Sequence, residues 1–144
     1  MDGVTHVNIY SKGKTSLGQA LSNFTNSPID TTDGKFASIE GYWYWLNTDS
    51  PKKDILRWEH GAIAKTIGRD LRSKDWNDDP LFKLKIYNAM LSKLIQHNTI
   101  LSEFLNNKLP FRHYYVFSGK ITEPESGKWI LDMWHFLQGQ LCTL

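Results

Sequence analysis

Ser38-Ile39-Glu40-Gly41-Tyr42-Trp43-Tyr44-Trp45-Leu46 sets one carboxylate at the mouth of four consecutive large aromatic side chains. Such a run is too costly to expose in full, so part of it must be core. Its spacing is helical: Ile39, Tyr42, Trp43 and Leu46 share one face, while Glu40, Tyr44 and Asn47 share another. Ser38 stands where an N-cap belongs. Consecutive residues of a helix cannot aim at one place, so the reading gives Trp43 to the core and Tyr44, one turn after Glu40, to the acid's side.

Working outward, Val4 to Tyr10 alternates polar and apolar β-formers and predicts a half-buried strand, closed by the turn Ser11-Lys12-Gly13-Lys14-Thr15. Leu17 to Phe24 reads as a short helix or turn, and Asn26 to Gly34, with Pro28 and Asp33-Gly34, as a surface loop. After the aromatic helix, Pro51 starts a short helix to about Trp58. His60 to Arg72 is a third helix, with Ile63, Ile67 and Leu71 at spacing four; Ala64 and Gly68 beside that stripe permit close helix contact. Asp78 or Asp79 caps the next helix, with Pro80 in its first turn and Leu84, Tyr87, Met90, Leu91 and Leu94 as its buried face. Ile100 to Leu105 continues helically after a break at His97-Asn98. Phe111 to Phe117 reads as a strand able to pair with the amino-terminal one. Lys128 to Leu141 forms an amphipathic helix with Trp129, Ile130, Met133, Trp134 and Leu137 inward. The expected fold is mainly α with a small β-sheet, an α+β domain spanning 1-144.

Composition narrows the function. With 40% apolar and 13% aromatic residues the chain supports one sizeable core. Seventeen Lys and Arg against fifteen Asp and Glu leave a formal charge of +2, far from the basic balance of a protein that holds duplex DNA by phosphate neutralisation alone. Any nucleic-acid contact is therefore local. No apolar run approaches the roughly 20 residues of a membrane helix, and the start is not that of a secretory signal. One cysteine, Cys142, excludes an internal disulfide framework and cysteine metal knuckles. A soluble, cytoplasmic protein without membrane contact is expected.

Gly13-Lys14-Thr15 echoes the end of a phosphate-binding loop, but Asn8 occupies the position of the earlier glycine, so the motif fails. Lys12 or Lys14 as point charges on a diphosphate, and a plain solvated turn, remain equal readings. His6, His60, His97, His113 and His135 lack metal-site spacing, and no metal or other cofactor is expected. Neither a Gly-x-Ser-x-Gly elbow nor a Cys-plus-His arrangement is present. Lys65, Arg69 and Arg72 make a cationic stripe opposite Ile63, Ile67 and Leu71. That stripe is either the solvated face of an amphipathic helix or a cleft in which Lys65 serves as a nucleophilic amine. Glu40 is equally open: the helix dipole favours its charged form and aromatic desolvation its neutral one.

Three segments, in order and spacing, carry a resemblance: Leu21-Ser22-Asn23-Phe24 with Ser27-Pro28; Asp33-Gly34-Lys35-Phe36-Ala37-Ser38-Ile39-Glu40; and Gly61-Ala62-Ile63-Ala64-Lys65-Thr66-Ile67-Gly68-Arg69. Together they resemble the NADAR, or YbiA-like, family of N-glycosidases acting on ADP-ribose-type and related N-ribosides. The continuation Glu40-Gly41-Tyr42-Trp43-Tyr44-Trp45, with Leu109-Pro110-Phe111-Arg112-His113-Tyr114-Tyr115-Val116 and Lys128-Trp129-Ile130, departs from the riboflavin-pathway branch. It looks like the branch paired with DarT-type toxins, phage-borne versions included, which removes ADP-ribose from guanine in DNA.

The resemblance implies that Lys65 is catalytic, forming a Schiff base with the ribose after ring opening, and that Glu40 is its proton-transfer partner. It implies that Asn23 and Phe24, with Ser22, line the substrate site and that Arg69 and Lys12 stand near the diphosphate; Tyr44, on Glu40's face one turn on, is the aromatic candidate for substrate contact. The substrate would be ADP-ribosylated DNA and the product ADP-ribose, with no obligatory protein partner. The protein would act as an antitoxin in the cytoplasm, that of the host if phage-encoded. Two rivals accompany this reading: a glycosidase of free small N-ribosides, and a module that binds ADP-ribose or NAD without turnover. His113 and Asp132 are further candidates for proton transfer.

Overall fold

A computed structural model of the chain describes residues 1–143. Among them the elements run β1 (Val7–Asn8), α1 (Ser16–Leu21), β2 (Ile29–Thr31), β3 (Gly34–Phe36), α2 (Ile39–Leu46), a 3-10 turn (Lys53–Arg57) and α3 (Gly61–Leu71). There follow α4 (Pro80–Gln96), α5 (Asn98–Asn106), β4 (Phe111–Arg112), β5 (Tyr115–Phe117), β6 (Lys120–Thr122), a second 3-10 turn (Glu125–Gly127) and α6 (Lys128–Cys142). The class is the expected α+β, but the strands form three separate two-stranded ladders. No helix among the described residues is long and apolar enough to cross a membrane. Backbone packing divides the chain into two units, residues 1–22 with 98 onward, and residues 23–97.

In the first unit, β1 pairs in parallel with β4, Val7 opposite Phe111 and Asn8 opposite Arg112. The expected pairing of the two segments is present, but both strands are shorter than predicted. Val7 and Ile9 are buried, and so are His6 and Asn8 of the supposedly wet face. Tyr114 makes that possible. Its hydroxyl meets His6 Nε2 at 2.6 Å, its C=O accepts from Asn8 Nδ2 at 2.9 Å, and its N–H donates to Asn8 Oδ1 at 2.9 Å. Every buried polar group on that side is thereby satisfied. The same contacts end β4 at Arg112, so Tyr115–Phe117 instead forms a hairpin with β6 around Ser118-Gly119. Thr15, the last residue of the Gly-Lys-Thr turn, is the N-cap of α1, its hydroxyl accepting from Gly18 N–H at 2.9 Å. Phe104 of α5, Phe111 and Trp134 of α6 form this unit's aromatic core.

In the second unit, the segment predicted as loop is partly a hairpin. Ile29 pairs with Phe36 and Thr31 with Gly34 across the turn Thr32-Asp33. Gly34 has φ +105°, a left-handed conformation that favours glycine. Thr31 Oγ1 accepts from Asp33 N–H (3.0 Å) and donates to Gly34 C=O (2.8 Å), which fixes the turn. Ser38 caps α2 as expected: its hydroxyl accepts from Gly41 N–H at 3.0 Å and donates to Glu59 C=O at 2.9 Å.

The helix faces differ in part from expectation. Ile39, Tyr42 and Leu46 of α2 are buried. Trp43, expected in the core, is only half-buried, its ring edge-to-face with Phe82 at 4.9 Å. In α3 the buried residues are Ala64 and Gly68, while Ile63 is 60% exposed, so the small pair rather than the isoleucine stripe faces inward. Asp79 caps α4, accepting from Leu81 N–H at 2.7 Å, with Pro80 first in the helix. Its buried face is Phe82, Ile86, Ala89, Met90, Lys93 and Leu94; Leu84, expected inside, is 54% exposed.

Candidate functional site

The turn at Asn23-Phe24 organises the site in the second unit. Asn23 C=O accepts from Glu40 N–H and Phe24 C=O from Gly61 N–H, both at 2.9 Å. These amides lie in the first turns of α2 and α3, where no intrahelical acceptor exists, so the turn satisfies one orphan donor of each helix. Gly61 manages this at φ +60°, a backbone conformation costly for most other residues. Both helix starts are thus tied to one turn.

The side chains follow from that backbone arrangement. Glu40, second residue of α2, is half-buried. Lys65, in the second turn of α3, holds Nζ 5.8 Å from the centre of the Phe24 ring. Arg69 follows one turn later and is exposed. Burial pushes the Glu40 carboxyl up to about 7, against the downward pull of the Lys65 and Arg69 charges. Desolvation therefore outweighs the charges around it. Asn23 Oδ1 is buried and has no hydrogen-bond partner. Such an orphan acceptor, on the residue whose C=O holds the Glu40 N–H, is a place for a donor from elsewhere.

Asn23, Phe24, Glu40, Lys65 and Arg69 are therefore brought together. Tyr44 is 9% exposed and serves as the packing surface between α2 and α3. A Cβ added to Gly68 would lie 2.1 Å from Tyr44 Cγ and 2.4 Å from its Cβ. Lys12 and Ser22 belong to the first unit, Lys12 exposed in its turn and Ser22 buried at the C-cap of α1. His113, in that unit too, places Nδ1 2.6 Å from Ile9 C=O, and Asp132 is exposed. Among the described residues no group of three His, Cys, Asp or Glu side chains is arranged to hold a metal ion.

Lys93 escaped the sequence reading. It is fully buried on α4, and burial pushes its amine down to about 7. The signal was a lone lysine between Met90 and Leu94 on the helix's apolar side.

The elevated Glu40 value has a consequence for stability. Between its ordinary 4.5 and about 7 the native carboxyl binds more proton than the unfolded one, so its contribution to stability falls as pH rises through that window. Glu40→Gln removes this loss. Denaturant titrations should show the variant gaining on the wild type as pH rises from 5 to 8; a pH-independent difference would contradict the buried setting.

No family model matches the sequence, and no curated protein matches it. A solved structure does: the chain is similar to the NMR structure of the E. coli protein YbiA, with a TM-score of 0.72, over 98% of this chain and 90% of that one. Sequence identity is 18%, so the likeness speaks to architecture. The chain has a YbiA-like α+β fold.

Proposed function

We propose that this protein is an N-glycosidase that removes ADP-ribose from guanine bases in DNA, countering a DarT-type toxin, with Lys65 as nucleophile and Glu40 as proton carrier. The observation that carries the reading is the convergence of Glu40, its carboxyl at about 7, and Lys65 on the Asn23-Phe24 turn. A carboxyl group with that value both gives and takes a proton near neutrality.

Protonated Glu40 gives its proton to the ribose ring oxygen as the bond from that oxygen to the anomeric carbon breaks and the guanine nitrogen's lone pair forms C=N. Glu40, now a carboxylate, takes a proton from the Lys65 ammonium; the amine so formed adds to the anomeric carbon, and a proton passes by way of Glu40 from the newly bonded lysine nitrogen to the guanine nitrogen. The carbon–guanine bond then breaks, leaving an iminium on Lys65, which water hydrolyses to ADP-ribose and free lysine. A free oxocarbenium ion is avoided, and only water is consumed. Asn23 Oδ1 suits a sugar hydroxyl donor, the Phe24 face a ring, and Arg69 the diphosphate. Tyr44, packed on Gly68, backs the site.

The test is incubation with an oligonucleotide carrying ADP-ribosylated guanine, followed by chromatography. Unmodified DNA and free ADP-ribose are expected. Turnover confined to free N-ribosides, or tight ADP-ribose binding without turnover, would overturn the reading in favour of a small-molecule glycosidase or a binding module.

A further inference from the structure

The 3-10 turn before α3 carries a surface that the proposed chemistry does not use. Side chains three apart eclipse one another in such a turn. Here the backbone makes the bonds that enforce it: Ile55 N–H donates to Lys52 C=O and Trp58 N–H to Ile55 C=O, each at 3.3 Å. The side chains therefore fall into rows. Lys53 and Leu56 share one, in which Leu56 is fully buried. Asp54 and Arg57 share another and close their own ion pair at 3.0 Å. The remaining row, Lys52, Ile55 and Trp58, faces outward, with Ile55 47% and Trp58 72% exposed.

Around that row the charge is positive on balance. Lys35, Lys52, Lys53 and Arg57 stand against Asp54 and Glu59, and Asp54 is engaged by both Arg57 and the Trp45 indole N–H at 3.0 Å. Lys53 Nζ lies 3.8 Å over the Trp45 ring and the Arg57 guanidinium 5.0 Å from it, so these cations cap that ring, and Trp58 is the exposed ring beside them. Excess positive charge beside an exposed indole suits a nucleic-acid strand, whose phosphates need cations and whose bases need something to stack on. An apolar protein partner would not call for the lysines. Only Glu59 and His60 separate Trp58 from Gly61, whose N–H holds the carbonyl of Phe24.

We infer that the Lys52–Ile55–Trp58 row is a contact for single-stranded DNA, which holds nucleotides flanking the modified guanine, with Trp58 stacked on a base and Lys52, joined by Lys53 of the neighbouring row, facing phosphates. This rests on the DNA-directed activity proposed above, and it explains how a chain of small net charge grips a strand locally.

The probe is a short unmodified single-stranded DNA oligonucleotide, followed by fluorescence anisotropy. Trp58→Ala should weaken its binding roughly five- to a hundredfold. Lys52→Ala with Lys53→Ala should make the dependence of log K on log salt shallower by about 1.4. On ADP-ribosylated oligonucleotide, Trp58→Ala should raise KM and keep kcat, while turnover of ADP-ribosylated guanosine stays unchanged. Wild-type oligonucleotide binding by both variants would overturn the inference. So would a Trp58-dependent self-association in sedimentation with DNA binding intact, which would assign the row to a protein interface. If the protein showed no glycosidase activity, Trp58-dependent oligonucleotide binding would keep this surface and remove only the reaction.

Discussion

Lys65→Ala should lower kcat for release of ADP-ribose from modified DNA by at least about a thousandfold, the scale on which loss of a covalent nucleophile is felt. Folding should hardly change, because Lys65 is half-buried on a helix and alanine is a good helix former. A matching thermal unfolding midpoint would place the loss in chemistry. Lys65→Arg sharpens the result, since it keeps a cation near the Phe24 ring but has no amine that forms a Schiff base. It should fail as completely as alanine. Substantial activity in the arginine variant would mean that Lys65 supplies only charge.

The second large effect falls on the packing that aligns α2 with α3. Gly68→Ala brings two opposed terms. Alanine improves helix propensity by about 1 kcal/mol. Its Cβ, however, would lie 2.1 Å from Tyr44 Cγ and 2.6 Å from Cδ1, atoms too near the backbone to swing aside. Overpacking of this kind costs about 3 kcal/mol or more, and the overlap wins. The expected outcome is a midpoint lower by about 5 to 10 °C. In a Tyr44→Ala background, already weakened by its cavity, the contacts with Cγ and Cδ1 are gone and only the 2.4 Å approach to Cβ stays, so Gly68→Ala should cost clearly less than in the wild type. Equal penalties in both backgrounds would show that the two residues do not meet.

Much of the second unit was legible because its signals are local. Ser38 before the aromatic run, and Asp79-Pro80 before α4, announce helix starts that depend on one or two hydrogen bonds each. The helix α3 was legible from its period as an element, but its inward face was not, since Ala64 and Gly68 rather than Ile63 are buried. What failed depends on partners distant in sequence. The β2–β3 hairpin was hidden although Asp33-Gly34 signals such a turn, because only three residues on either side pair. The alternation of Val4 to Tyr10 suggested a wet face until Tyr114, more than a hundred residues away, turned out to satisfy His6 and Asn8. On α4, apolar residues lie nearly all round the helix, so periodicity picked Leu84 while packing chose Phe82 and Ile86. At the site, the pattern supplied Glu40 and Lys65 as candidates. The sign of the Glu40 shift required the burial that only the fold provides.

Trapping of the intermediate tests the central claim most directly. ADP-ribosylated oligonucleotide is turned over in the presence of borohydride, and the protein is then digested and mapped by mass spectrometry. A reduced adduct of ADP-ribose is expected on the peptide that contains Lys65, absent from Lys65→Ala. Continued release of ADP-ribose with no adduct, or an adduct on another residue such as Lys93, would contradict it.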